Sequence, residues 1–495
     1  MIIHKFGGTS VGNAERISKV ADILIKQHSK HPNRGNGEPP NGTVAVVSAM
    51  SGVTDQLIAG ARAAADGRDS DYREVKARLL QKHLEVVETL LNHSPERLEV
   101  GGLIEDRLHD LERLYRSIAV LGEFTVRGCD AVTSLGEQLS ASILAAVLRE
   151  RGERAQAIPA TELIVTDENF GAARPLQAPT NQRLVQRVKP LVERGVIPVV
   201  TGYIAATERG VTTTLGRGGS DYTAAILGAG LEAEEVWIWS DVDGILTADP
   251  NLVPQARTLA ELSYAEAADL AYYGADVLHP KTIRPLFESG VPLRILNSFN
   301  SDHPGTLIVK NPKPDRALWP AIISTTGLSL IAVGTQDDSW TLGKAARALQ
   351  LLSEAGLDVP LFSQSFSEHS LNLVVRELNQ THCLNVLRAE FGGDASALQG
   401  DASALQTTEG SGAPGSDNLH SLGVKEKVAT VSVVGFPGWT ESGIVSHAFT
   451  ALGKHGTRVI AVAQAGTGYS VSFCIPGDQV SSTVRFLHHE LGLDG

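Results

Sequence analysis

Two rhythms of hydrophobic and polar positions divide the chain. In the first three-fifths, short apolar runs at residues 1–6, 43–50, 154–158, 197–201, 235–240 and 291–297 are bounded by Gly, Pro or polar residues and read as buried strands. Between them, residues from Asn13 to Gln27 and from Asp55 to about Ile118 place Leu, Val and Ile every third or fourth position, which predicts helices. Strands alternating with helices predict an α/β fold, a three-layer αβα sandwich around a mostly parallel sheet. The polar, Pro- and Gly-rich residues 28–42 read as a surface loop.

Beyond the prolines at 312 and 314 the rhythm changes. SLIAVGT, a helix over 342–355, DVPLFSQ, SLNLVVRE and a helix over 381–391 give the order βαββα. The order returns as ATVSVVG, a helix over 443–455, TRVIAVAQA, YSVSFCI and a helix over 480–490, and the phrases LFSQSFSEHSLNLVV and AVAQAGTGYSVSFCI match. Between the copies, GGDASALQGDASALQTTEGSGAPGSDN offers no apolar pattern to bury and reads as a linker. The expected division is 1–313, with a helical segment over about 55–135, then two α+β units at 318–391 and 428–495 joined by 392–427.

Composition narrows the function classes. No apolar run approaches the roughly 18 residues of a spanning helix, and MIIHKFGGTS lacks the apolar stretch of a secretory signal. Cys129, Cys383 and Cys474 are too scattered for a disulfide framework or a zinc site, which points to a reducing cytoplasm. A formal charge of -13 argues against non-specific nucleic-acid binding. No HExxH, Walker A, GxGxxG or Ser/His/Asp signature occurs, and no metal site held by the protein alone is expected.

Three glycine-rich or acidic turns carry candidate chemistry. KFGGTSV (5–11) feeds a strand into two glycines and hydroxyls ahead of a helix, a setting in which backbone N–H groups approach an anion; alone, it reads equally as a tight turn beside a surface lysine. TTTLGRGGSDYTAA (212–225) repeats that setting with Arg217 and Asp221 in the turn, against the plainer reading of a flexible hairpin. WSDVDGILTADPNLVP (239–254) follows a strand with Asp241, Asp243 and Asp249; it lacks the glycine and terminal glutamate spacing of a calcium loop, leaving a nucleotide-contacting turn or a solvated acidic loop. SLGEQLSA (134–141) reads as a helix start with Glu137 in its first turn, and VVSAMSGVTD (46–55) as a strand end.

Taken in order, KFGGTSV, SLGEQLSA, IVTDENFG, VVTGYI, TTLGRGGSDYTAA, SDVDGILTADP and YYGADVLHPKTI resemble the aspartokinase family over nearly the whole chain, and the repeated tail resembles its paired ACT domains. The resemblance implies an amino-acid-kinase fold and ATP-dependent phosphorylation of the side-chain carboxylate of L-aspartate, with Mg2+; with the given sequence ending at Gly495, no homoserine dehydrogenase portion is expected. It makes Lys5 the catalytic lysine, oriented by Asp221, with Gly7, Gly8 and Ser10 around the phosphates and Ser240 and Asp241 at the nucleotide. By the same resemblance Glu137 meets the substrate ammonium, Arg217 its α-carboxylate, and Ser48, Thr54 and Phe170 line the aspartate pocket. Phosphoryl transfer to a carboxylate needs positioning and charge neutralisation but no general base, since the acceptor is already ionised near neutral pH.

Two positions depart from the family pattern. Asn251 and Asp276 stand where relatives carry cations, and Lys281 or Arg257 are the candidates to replace them at the nucleotide. ACT-like repeats imply a feedback effector, threonine or lysine, at Gln364 and Gln464, which occupy matching places, and a homodimer or larger assembly. The competing expectations are another amino-acid kinase, acting on glutamate or a carbamate, and an amino-acid sensor with a degenerate kinase domain.

Overall fold

The computed structural model describes residues 1–30, 42–92, 94–274, 278–313, 319–335, 340–365, 369–392, 420–435, 443–464 and 470–494. The chain forms two compact units. The first comprises Met1–Ile245, Thr258–Ala271 and Asp276–Arg316; the second comprises Leu246–Arg257, Tyr272–Ala275 and Ala317–Gly495. The expected boundary near 313 therefore misses two short segments, 246–257 and 272–275, that belong with the C-terminal part. Their apolar residues explain this: Ala248 and Val253 lie in one core with Val431, Phe473 and Leu487.

Unit 1 begins with β1 (Ile2–Phe6), α1 (Ala14–Lys30), β2 (Thr43–Val47), α2 (Val53–Ala65), α3 (Asp69–Leu90), α4 (Pro95–Leu121) and α5 (Val126–Glu150). It continues through β3 (Ala155–Ile158), β4 (Val165–Thr166), α6 (Gln177–Arg187), α7 (Lys189–Glu193), β5 (Ile197–Thr201), β6 (Ile204–Thr207), β7 (Thr212–Thr214), α8 (Gly219–Gly230) and β8 (Glu235–Ser240). It closes with β9 (Glu261–Ser263), α9 (Tyr264–Tyr272), α10 (Pro280–Ser289), β10 (Leu293–Asn297) and β11 (Thr306–Val309).

The main sheet has the order β3-β5-β2-β1-β8-β10-β11-β9 and is parallel except between β10 and β11. β1, β2 and β5 are buried along their whole length, as strands covered on both faces must be, and each fully buried Ile, Val or Phe contributes roughly 1.5–3 kcal/mol. β1 pairs with β2 on one side and β8 on the other, Phe6 lying opposite Val47 and Trp239. The chain leaves β1 in one direction and later returns on the other side, so a crevice opens beyond the carboxyl ends of β1 and β8. A smaller sheet, β4-β6-β7, stands apart from the main one.

α5 corrects two expectations. It is apolar and long enough by composition to cross a membrane, yet 83% of its most apolar window is buried inside the protein, which makes it a core helix. It also starts at Val126, where the Thr125 hydroxyl accepts from the Gly128 N–H at 3.1 Å, so Glu137 lies in mid-helix and not in a first turn.

Unit 2 contains β12 (Ala321–Thr335), α11 (Leu342–Glu354), β13 (Leu361–Ser365), β14 (Ser370–Arg376), α12 (Gln380–Phe391), β15 (His420–Val434), α13 (Ile444–His455), β16 (Ala461–Gln464), β17 (Ser470–Pro476) and α14 (Val480–Glu490). The βαββα repeat is present, on one antiparallel sheet of order β13-β14-β12-β15-β17-β16. β12 and β15 are each shared between the repeats: the end of β12 pairs with β14 and its start with β15 alone, while the end of β15 pairs with β17. β15 begins inside the expected linker, because Leu422 and Val424 alternate with Gly423 and Lys425 in a strand pattern that the neighbouring low-complexity sequence obscured. Most of that linker, 393–419, lies outside the described residues.

Candidate active site

The two glycine turns converge in unit 1. Lys5 near the end of β1 and Asp221 in the first turn of α8 form an ion pair at 2.5 Å, with side chains only 11% and 15% exposed. The first turn closes through Gly7, whose carbonyl accepts from the N–H groups of Ser10 and Val11. Gly8 permits close approach, since a Cβ there would stand 3.0 Å from the Ala49 carbonyl oxygen. In the second turn Gly218 has φ +71°, and a Cβ on it would meet the His279 side chain at 2.5 Å, so the start of α10 lies directly against this loop. Burial, with Lys281 and Arg217 nearby, holds the His279 imidazole below its usual range. The His279 side chain also accepts from the Lys281 N–H, capping α10. Arg217 and Lys281 are both exposed.

Glu137 projects from α5 into a buried position, 4% exposed. Its carboxylate accepts from the Ala49 N–H, yet Oε2 has no hydrogen-bond partner, and desolvation pushes its pKa up to about 8. A buried carboxylate that lacks both a cation and a helix N-terminus behaves in this way. The β2–α2 connection packs against it: the Ser140 hydroxyl donates to the Ser48 carbonyl at 2.6 Å, and Thr54 sits half-buried at the start of α2.

Other expected residues take different parts. The Ser10 hydroxyl is buried and bonded to that of Ser298 at 2.9 Å, and Ser298 in turn donates to the Ser240 carbonyl. Ser10 therefore braces the first turn against β8 and β10. Ser240 and Asp241 are hydrogen-bonded to each other at 3.2 Å, Asp241 being exposed. Phe170 lies on the 167–172 loop with the Arg127 guanidinium 5.7 Å from its ring. Arg257 belongs to unit 2, where it stacks 4.8 Å over Trp319, which commits it away from replacing a nucleotide cation. Asn251, also in unit 2, is tied into a turn by Asp249, and Asp276 lies outside the described residues.

Two residues escaped the sequence reading. Tyr203, inside VVTGYI, adopts φ +68°, unusual for a residue with a Cβ, and burial pushes its phenol up, with Glu137 and Asp130 within electrostatic reach. Asp130 precedes Glu137 by two helical turns and accepts from the loop that carries Phe170; helical spacing from Glu137 was the available signal. In unit 2, Gln364 and Gln464 hold equivalent places on the two edge strands, paired with Leu371 and Val471 respectively.

The parallel sheet with two glycine turns at its carboxyl edge defines the amino-acid-kinase class, and residues 1–297 match the amino acid kinase family while residues 431–491 match an ACT domain. The chain is 31% identical to aspartokinase 3, chloroplastic, of Arabidopsis thaliana, over 78% of this chain and 70% of the relative. It is 32% identical to the Arabidopsis bifunctional aspartokinase/homoserine dehydrogenase 2, chloroplastic, over 98% of this chain but 50% of the relative. The chain thus spans about half the length of the bifunctional relatives it matches. E. coli aspartokinase III in complex with aspartate and ADP superposes with a TM-score of 0.76 at 26% identity, covering 99% of both chains. The same enzyme with lysine and aspartate gives 0.76 at 25%, again over 99% of both. The chain belongs to the aspartokinase family.

Proposed function

We propose that this chain transfers the γ-phosphoryl group of ATP to the side-chain carboxylate of L-aspartate, giving 4-phospho-L-aspartate, the first committed step towards lysine, threonine and methionine. The observation that carries the reading is the meeting of both glycine turns at the Lys5–Asp221 pair, in the same unit as a buried glutamate with an open oxygen. Kinship with aspartokinases and with an aspartate- and ADP-bound structure supports the choice of substrates.

Chemically, the terminal P–O bond of ATP breaks as an aspartate side-chain oxygen forms a new one, and ADP leaves. Lys5, held in place by Asp221, neutralises charge on the transferring group, and the N–H groups of the Gly7–Gly8 turn face the phosphates. Glu137 receives the substrate ammonium, Arg217 its α-carboxylate, and Ser48, Thr54 and Phe170 border the pocket. Ser240, Asp241 and Lys281 approach the nucleotide. Mg2+ would arrive on the nucleotide phosphates, with Asp241 as a protein carboxylate to meet it. When bound, Mg2+ supplies further neutralisation of the phosphate oxygens.

Gln364 and Gln464 mark two equivalent effector positions for threonine or lysine, and the edge strands β13 and β16 suit pairing with a second copy. Free Cys129, Cys383 and Cys474 accord with a reducing compartment such as the cytoplasm. The test is ADP release with aspartate against glutamate, repeated with added threonine and with lysine. Aspartate-dependent release, lowered by one of the two amino acids, is expected; release with glutamate alone defeats the assignment.

A further inference from the structure

Asp130 is 1% exposed and makes no ion pair among the described residues, yet it is fully engaged. One oxygen accepts from the N–H groups of Gly171 at 2.9 Å and Thr214 at 3.2 Å; the other accepts from the Thr214 hydroxyl at 2.7 Å. These three donors come from two separate segments. Gly171 follows Phe170 in the 167–172 loop, and Thr214 ends β7 just before Gly216 and Arg217.

The carboxylate itself is fixed to α5. Seven residues separate Asp130 from Glu137, a rotation of about 700°, so both project from nearly one face of the helix, roughly 10 Å apart along it. Thr133, between them on that face, donates its hydroxyl back to the Cys129 carbonyl at 2.8 Å and so stays within the helix. One helix face thereby holds Glu137 and, through Asp130, the strand leading to Arg217 and the loop bearing Phe170.

We propose that Asp130 is a positioning residue for the amino-acid acceptor: it sets the spacing between the group that receives the substrate ammonium and the group that receives its α-carboxylate. The inference rests on the aspartate kinase reading. An amino acid is gripped at two charged ends, so its binding depends on the distance between two protein groups on different segments. Asp130 crosslinks those segments through its own charge-assisted bonds, whereas the nucleotide-side groups Lys5, Asp221, Ser240 and Lys281 make no hydrogen bond to it. Its loss should therefore change how the acceptor is held and leave the nucleotide untouched.

The experiment compares wild type with Asp130→Asn and Asp130→Ala in ADP-release kinetics, varying aspartate and ATP separately, alongside thermal melting. Asp130→Asn keeps the shape but turns an amide NH2 towards donors already facing it, so it stays informative if the Ala variant does not fold. The expected result is an aspartate KM raised about tenfold or more in Asp130→Asn, with an ATP KM within about twofold of wild type. Equal KM values in variant and wild type, or both KM values rising together with a lowered melting temperature, overturn the proposal. Wild type that releases no ADP with aspartate brings down the underlying reading, and this one with it; an active wild type matched by Asp130→Asn brings down this one alone.

Discussion

Asp221 and Glu137 are both carboxylates withdrawn from water in unit 1, and they meet opposite fates. Asp221 has a lysine ammonium at 2.5 Å; Glu137 has one backbone N–H and an oxygen with no partner. The first is complete as the protein folds, so its geometry is ready before any ligand arrives. The second leaves an oxygen open, as the proposed recognition of the substrate ammonium requires. The contrast teaches that a buried carboxyl with an unpartnered oxygen is a clearer candidate for a ligand's place than a satisfied one.

The largest expected effect comes from breaking the satisfied pair. Lys5→Ala should lower kcat by about 10²-fold or more and, by stranding Asp221, lower the melting temperature as well. Lys5→Ala combined with Asp221→Ala should recover stability but not rate; recovery of rate would show that the pair is structural.

Glu137→Gln sharpens the other side. Losing the carboxylate should raise the aspartate KM on the order of 30-fold, about 2 kcal/mol, with a smaller change in kcat. The same variant should melt higher than wild type near pH 8, because an acid whose pKa rises from 4.5 to about 8 on folding favours the folded state fully only below about 4.5 and loses that contribution as pH climbs through 8. A Glu137→Gln variant that melts lower would mean the carboxylate has a partner in the free protein.

A smaller effect follows from titration. The ammonium needs the ionised form, so kcat/KM for aspartate should fall about fivefold from pH 8 to 7 and then level off towards the Glu137→Gln value, and Glu137→Gln should abolish that limb. A wild-type profile flat from pH 6 to 9 would contradict it. Smallest of all, Lys281→Ala should raise the ATP KM about two- to fivefold, as expected for one exposed cation at a phosphate; no change excludes Lys281 as the replacement for the missing cations.

Much of this arrangement was legible in the sequence, and the exceptions have physical causes. Strands such as 43–47 and 197–201 announce themselves because a strand buried on both faces reads as a near-continuous apolar run. Lys5 and Asp221 were reached through their glycine turns, where spacing reports backbone conformation. Glu137 was found but misplaced along its helix, since Thr125 caps α5 nine residues before Ser134, where the SLGEQLSA motif begins. Ser10 was assigned to phosphates when its partner, Ser298, lies 288 residues away, a separation that no local pattern encodes. Tyr203 and Asp130 stayed hidden for the same reason: their meaning lies in which distant N–H and hydroxyl groups the fold brings to them.

The shared strands of unit 2 carry a consequence for any attempt to dissect it. Residues 420–425 of β15 hydrogen-bond only to β12 at the first repeat's sheet, and residues 321–325 of β12 only to β15 at the second's. Each copy thus shares its long central strand with the other, so cutting one away strips pairing from its twin. The two copies are therefore expected to melt together, and a truncation at either repeat should lower the melting temperature of the other.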